Sequence, residues 1–99
     1  DRLHAAQALV QQHQACVVLK GSGTVIAAPG TRPVINPTGN ARLATAGTGD
    51  VLAGLIGARL AAGAEAFAAA CAAVWLHGQA AEAWPAAQPL TAGALAQHV

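Results

Sequence analysis

Charge is what this sequence has least of. Only 9% of its 99 residues are Asp, Glu, Lys or Arg, against about 25% in ordinary soluble domains, so little charge is available to cover a free surface. The five Lys and Arg residues stand singly and the formal net charge is +1. That leaves no basic stripe of the kind nucleic acid selects, and nucleic acid is set aside as a partner. Long apolar runs are lacking too. The longest in the alanine-rich half, Ala66 to Leu76, stops at His77, short of the roughly 20 residues of a membrane-spanning helix. No membrane partner is expected. The chain opens on a polar amphipathic stretch, so no targeting segment is expected either. There are only two cysteines, Cys16 and Cys71, both inside apolar runs, and they read as buried, reduced thiols of a cytoplasmic protein. His4, His13 and His98 have no carboxylate or thiol at ligand spacing, so no metal site is assigned. Neither the phosphate-binding pattern Gly-x-x-x-x-Gly-Lys-Ser/Thr nor Gly-x-Gly-x-x-Gly occurs. No repeat or linker is visible, and the length allows one domain at most.

What is present is an ordered series of short elements. Leu3, Ala6, Leu9 and Val10 recur at helical spacing, which predicts an amphipathic helix from Asp1 to His13. Ala15 to Leu19 is continuously apolar, as in a strand covered on both faces. Thr24 to Ala28 and Pro33 to Ile35, joined through Pro29-Gly30-Thr31, read as a hairpin. Asn36-Pro37-Thr38-Gly39-Asn40 is all turn formers and should be an ordered surface loop. Two alanine-rich helices follow. The first, about Asp50 to Ala62, turns Leu52, Leu55, Ile56 and Leu60 to one side and ends at Gly63. The second, about Ala64 to Trp84, presents Phe67, Cys71, Val74, Trp75 and Gly78 as a core face, and Pro85 closes it. Trp75 and Trp84 read as core and edge packing, and His77 as a partly buried histidine satisfied by backbone. Thr91 caps a last short helix through Ala96.

The run Asn40 to Gly54 carries the most chemistry. Gly47 and Gly49 allow a sharp turn directly before a helix, and the first amides of that helix lack internal partners. A helix start of this kind attracts anions. Asp50 is then anomalous, because a bound phosphate repels a carboxylate unless the carboxylate acts on an incoming hydroxyl, as a general base would. Its plainer reading is an acid complementing the first turn of a helix. Lys20, directly before Gly21-Ser22-Gly23-Thr24, likewise reads either as a solvated strand end or as an ammonium that joins the turn's amides in holding phosphate.

Three motifs, taken together, resemble one family. Lys20-Gly21-Ser22-Gly23-Thr24, Asn36-Pro37-Thr38-Gly39-Asn40 and Ala44-Thr45-Ala46-Gly47-Thr48-Gly49-Asp50-Val51-Leu52-Ala53-Gly54 look, in order and spacing, like the ADP- or ATP-dependent NAD(P)H-hydrate dehydratases of the ribokinase-like superfamily. The likeness runs from about Leu3 through Glu82 and corresponds only to the C-terminal part of that family's domain. It implies an α/β fold: one partial domain, residues 1–99, of a three-layer ribokinase-like architecture, with a short mixed sheet and hairpin packed by helices. It implies a nucleotide site at Lys20, Gly21, Ser22, Gly23, Thr24, Asn40, Thr45, Gly47, Thr48 and Gly49, and Asp50 as the base that meets the substrate, hydrated NADH or NADPH. ADP or ATP is the implied phosphoryl donor and Mg2+ its expected counter-ion, with no protein ligand for the metal identified. Arg42 departs from the family, which more often has uncharged residues there, and reads as touching phosphate or only solvent.

At most three strands can be paired from this chain, which leaves a bare edge beside Ala15 to Leu19. Cover is expected from a missing N-terminal portion or from a second copy, and the chain alone is expected to be inactive. Two other functions fit part of the pattern. A ribokinase-like kinase for a sugar, vitamin or thiazole shares Gly-Thr-Gly-Asp, and a non-catalytic nucleotide-binding module shares the fold.

Overall fold

In the computed structural model, which describes residues 1–21, 23–44 and 47–97, helix α1 (Arg2–His13) leads into strands β1 (Val17–Leu19), β2 (Val25–Ala27) and β3 (Val34–Ile35). A 3-10 turn (Ala41–Ala44) then passes to helices α2 (Thr48–Ala61), α3 (Ala66–Glu82) and α4 (Ala92–Ala96). Local chemistry sets the ends. The Asp1 carboxylate accepts the His4 N–H at 2.8 Å and starts α1, and Gln14, at φ 52°, stops it. Gly63, at φ 95°, closes α2 in a Schellman arrangement, its N–H reaching Leu60 O at 3.0 Å while Ala64 N–H reaches Arg59 O at 3.1 Å. Glu65 starts α3 by accepting from Phe67 and Ala68 at 2.9 and 3.0 Å. Those two bonds hold its carboxyl below the ordinary range.

The strand order is β1-β2-β3, with Val18 opposite Ile26 and Val25 opposite Ile35. The α/β class stands, and the pairing is antiparallel in both ladders rather than mixed. Connections this short can only return the chain antiparallel, since a parallel return needs a crossover of a dozen residues or more. Among the described residues β1 pairs with β2 alone, so its other edge is bare.

Side chains alternate across the sheet with the strand period of two. Val17, Leu19, Val25 and Ala27 meet Ala6 and Val10 of α1. Val18 and Ile26 point the other way, onto Leu52 of α2 and Ala70, Ala73 and Val74 of α3. Three layers result, with β1 covered on both faces as its apolar run predicts. A smaller cluster joins Ala81, Leu90 and Leu95 to Trp84 and anchors α4. Cys16 and Cys71 are free and half-buried, and burial pushes both thiols up.

Two expected core residues lie outside the core. Trp75 is 43% exposed and Leu60 44%. The face that α3 buries is its alanine stripe, Ala69, Ala70, Ala73 and Ala81 together with Gly78, and small side chains let neighbouring backbones come close. The bulky indole falls off that stripe. Among the described residues no helix is long and apolar enough to cross a membrane.

Candidate functional site

The three motifs, far apart in sequence, wall one cavity of about 560 Å³. Lys20, Gly21, Gly23 and Thr24 form one side, the loop from Asn36 to Asn40 a second, and Thr48 and Gly49 a third, with His77 and Gly78 of α3 behind them. A separate cleft of about 460 Å³ between α1 and the hairpin turn holds none of the motif residues. Gly47 stands just outside the motif cavity at φ 87°, where a Cβ would come within 2.9 Å of Ala92. Ser22 and Thr45 lie outside the described residues.

The first wall is a tight turn held from two sides. Gly21 N–H donates to the Thr24 hydroxyl at 3.2 Å, and that hydroxyl donates back to Gly21 O at 3.1 Å. From α1, the Arg2 guanidinium donates to Gly23 O at 3.1 Å. Thr24 therefore shapes the turn, and Lys20 lines the cavity beside it.

The second wall is fastened to α3. The Thr38 hydroxyl donates to Trp75 O at 3.0 Å, Gly39 N–H donates to the Glu82 carboxylate at 3.0 Å, and the Asn40 amide reaches Ala81 O at 3.3 Å. Asn36 is buried and donates to both oxygens of Thr38, at 3.0 and 2.9 Å. Loop and helix can touch only because residue 78 is glycine: a Cβ there would sit 2.6 Å from Thr38 C and 2.7 Å from Gly39 N. Gly78 and Glu82 lie outside the three motifs, although each carries a signal. A glycine amid helical alanines costs about 1 kcal/mol and calls for a reason. An acid in the last turn of a helix opposes the dipole and calls for a partner.

The third wall is the start of α2. Thr48 is 3% exposed, its hydroxyl donates to Leu43 O at 2.5 Å, and its carbonyl accepts from His77 Nε2 at 2.9 Å. A carbonyl only accepts, so Nε2 carries the hydrogen. His77 is thus buried and satisfied by backbone, as the sequence suggests, and burial with the nearby Lys20 charge pushes its pKa down against the pull of the Thr48 carbonyl. The Lys20 ammonium lies directly over Gly49, close enough that any Cβ at that position would collide with it. An ammonium against the positive end of a helix is unfavourable by itself. Both are complemented by an anion placed between them.

Asp50 does not line the cavity. It follows Gly49 in the first turn of α2, exposed, and its N–H closes that turn on Gly47 O at 3.1 Å. Helix α2 begins at Gly47, which supplies no side-chain cap bond, and Asp50 is the acid of its first turn. Arg42 is not among the residues that line the cavity. Its guanidinium gathers the carbonyls of Trp84, Pro85 and Gln88 at 3.0, 3.3 and 2.5 Å and so fixes the chain beyond α3. Among the described residues no three His, Cys, Asp or Glu side chains converge on a metal position.

The chain is similar along its whole length to known proteins. Residues 1–99 match the family described as NAD(P)H-hydrate dehydratase. The ADP-dependent (S)-NAD(P)H-hydrate dehydratase of Neisseria meningitidis serogroup B is 48% identical over 99 residues, which is 100% of this chain and 33% of that protein. The Bacillus subtilis protein of the same description is 45% identical over 83 residues, covering 84% of this chain and 30% of its own. A crystal structure of ADP/ATP-dependent NAD(P)H-hydrate dehydratase from Bacillus subtilis, co-crystallized with ATP/Mg2+, matches with a TM-score of 0.89 at 41% identity, over 98% of this chain and 36% of that one. The chain therefore spans about a third of the length of these relatives.

Proposed function

The chain belongs to the NAD(P)H-hydrate dehydratase family, and from that premise we propose that it is the C-terminal part of a ribokinase-like domain that restores hydrated NADH and NADPH with ADP or ATP as phosphoryl donor. The observation that carries this reading is the Lys20 ammonium laid over Gly49 at the start of α2, inside the cavity that the three motifs share. In this arrangement the nucleotide phosphates lie between Lys20, the Gly21 to Thr24 turn and the amides of Thr48 and Gly49. Those groups meet the charge that develops on the moving phosphoryl group, the main lever in such transfers.

Asp50, exposed beside the cavity, takes the proton of the hydroxyl on the hydrated nicotinamide ring. The hydroxyl oxygen bonds to the terminal phosphorus as the nucleotide leaves, and the phosphate then departs from the ring while the neighbouring ring carbon gives up a proton to water, which restores the double bond. Mg2+ is generally held by one or two carboxylates together with substrate phosphates and water. An ion that arrives with the nucleotide would neutralise donor charge there. The bare edge of β1 and the exposed Trp75 are covered by the rest of the domain, and the enzyme works in the cytoplasm.

The test uses a complete domain, made by grafting this chain in place of the matching third of the Neisseria meningitidis relative. Hydrated NADPH and ADP or ATP are supplied, and the return of NADPH absorbance is followed with release of phosphate. Appearance of both supports the reading. A stable phosphoester of a sugar or vitamin alcohol would make the protein a kinase, and nucleotide binding with no turnover would make it a binding module.

A further inference from the structure

Helix α2 starts differently from the other helices. Asp1, Glu65 and Thr91 tether the first turns of α1, α3 and α4 through side-chain oxygens, whereas Gly47 supplies no such bond to α2. Yet the amides at this uncapped start are the ones that face the phosphoryl group. Two bonds on Thr48 tie it down: the hydroxyl donates to Leu43 O, and the carbonyl accepts from the buried His77 Nε2 at 2.9 Å. The second bond is the longer-range one. It crosses from the middle of α3, and it is made by a side chain only 6% exposed that also lines the cavity.

We propose that His77 is a positioning residue, which, by donating from Nε2 to the Thr48 carbonyl, sets the angle at which the Thr48 and Gly49 amides meet the transferring phosphoryl group. The assignment rests on the phosphoryl-transfer reading above. His77 touches no reacting atom in it. The imidazole replaces the missing cap with a tether from a second helix, so the orientation of the helix start depends on α3, which also carries the Asn36 to Asn40 wall.

The test is made in the grafted complete domain with three variants. His77→Gln keeps an N–H donor near the Nε2 position, His77→Leu removes it, and His77→Asn carries its amide too short to reach Thr48. Losing a buried hydrogen bond of this kind predicts that kcat falls by about 10-fold or more in the Leu and Asn variants while KM for nucleotide stays within about 3-fold. The Gln variant should stay close to wild type. Amide exchange gives a readout independent of turnover: the N–H groups of Asp50 and Val51, which close the first turn on Gly47 O at 3.1 and 3.2 Å, should exchange about 10-fold faster in the Leu and Asn variants only. Should His77→Leu not fold, the Asn and Gln pair decides. Unchanged exchange at Asp50 and Val51, equal loss in all three variants, or a change in KM alone would overturn the proposal, the last because it would mean direct contact with the nucleotide. If the wild-type graft turns over no hydrated cofactor, the functional reading fails and the exchange data still decide whether His77 holds the turn.

Discussion

Gly78→Ala should be among the most damaging small changes in the chain. The added Cβ would lie 2.6 Å from Thr38 C and 2.7 Å from Gly39 N, and both are backbone atoms that cannot rotate away. The loop has to lift from α3, and it takes with it the Thr38 bond to Trp75 O and the Gly39 bond to Glu82, each 3.0 Å. Overpacking costs about 1–3 kcal/mol and each lost hydrogen bond about 0.5–1.5 kcal/mol, against about 1 kcal/mol regained from helix propensity. The net expectation from those ranges is a destabilisation of about 3 kcal/mol. Urea unfolding of the grafted domain measures it, and calorimetric titration with ADP should show weaker binding because one wall of the cavity has moved. A variant stabilised by about 1 kcal/mol, as alanine gives at an open helical glycine, with unchanged ADP affinity, would refute the close approach.

Three further outcomes follow from the same geometry. Lys20→Ala should weaken ADP or ATP binding by about 1.5–3 kcal/mol, the range of a charge-assisted contact, and unchanged affinity by calorimetry would return Lys20 to a solvated strand end. His77 has a pKa lowered by burial from its ordinary 6.5, so its neutral form stabilises the fold above that pH; as pH falls below it the unfolded chain takes up the proton first and stability declines. Urea midpoints measured between neutral and mildly acid pH should show that decline in wild type and less of it in His77→Gln. The chain expressed alone should associate through the bare β1 edge and its exposed apolar side chains, and sedimentation showing a monomer with a strongly protected Val17–Leu19 strand by hydrogen exchange would count against that.

Periodicity made the local elements legible. The apolar run ending at Leu19, the Pro29-Gly30-Thr31 turn and the Asp1 and Gly63 helix ends are short-range chemistry, and the structure has them where the sequence puts them. The faces of the alanine-rich helices were harder to read. Size alone favoured Trp75 for the core of α3, whereas close helix approach selected Ala69, Ala70 and Ala73 and left the indole outside. The motifs named the cavity walls, but not what fastens them. Glu82 finds Gly39 across 43 residues, and Arg42 finds Trp84 O, Pro85 O and Gln88 O across 42 to 46. Pairings that distant leave no periodic trace, and only the folded backbone brings them together.

One substitution separates a base at Asp50 from a helix cap. Asn is nearly isosteric with Asp and keeps a hydrogen-bond acceptor at a helix start, but it cannot take a proton. In the grafted domain Asp50→Asn should fold and bind ADP or ATP as wild type does, while turnover of hydrated NADH or NADPH falls by roughly two to four orders of magnitude, the usual contribution of a general base. Wild-type specific activity in the folded Asp50→Asn protein would contradict the account.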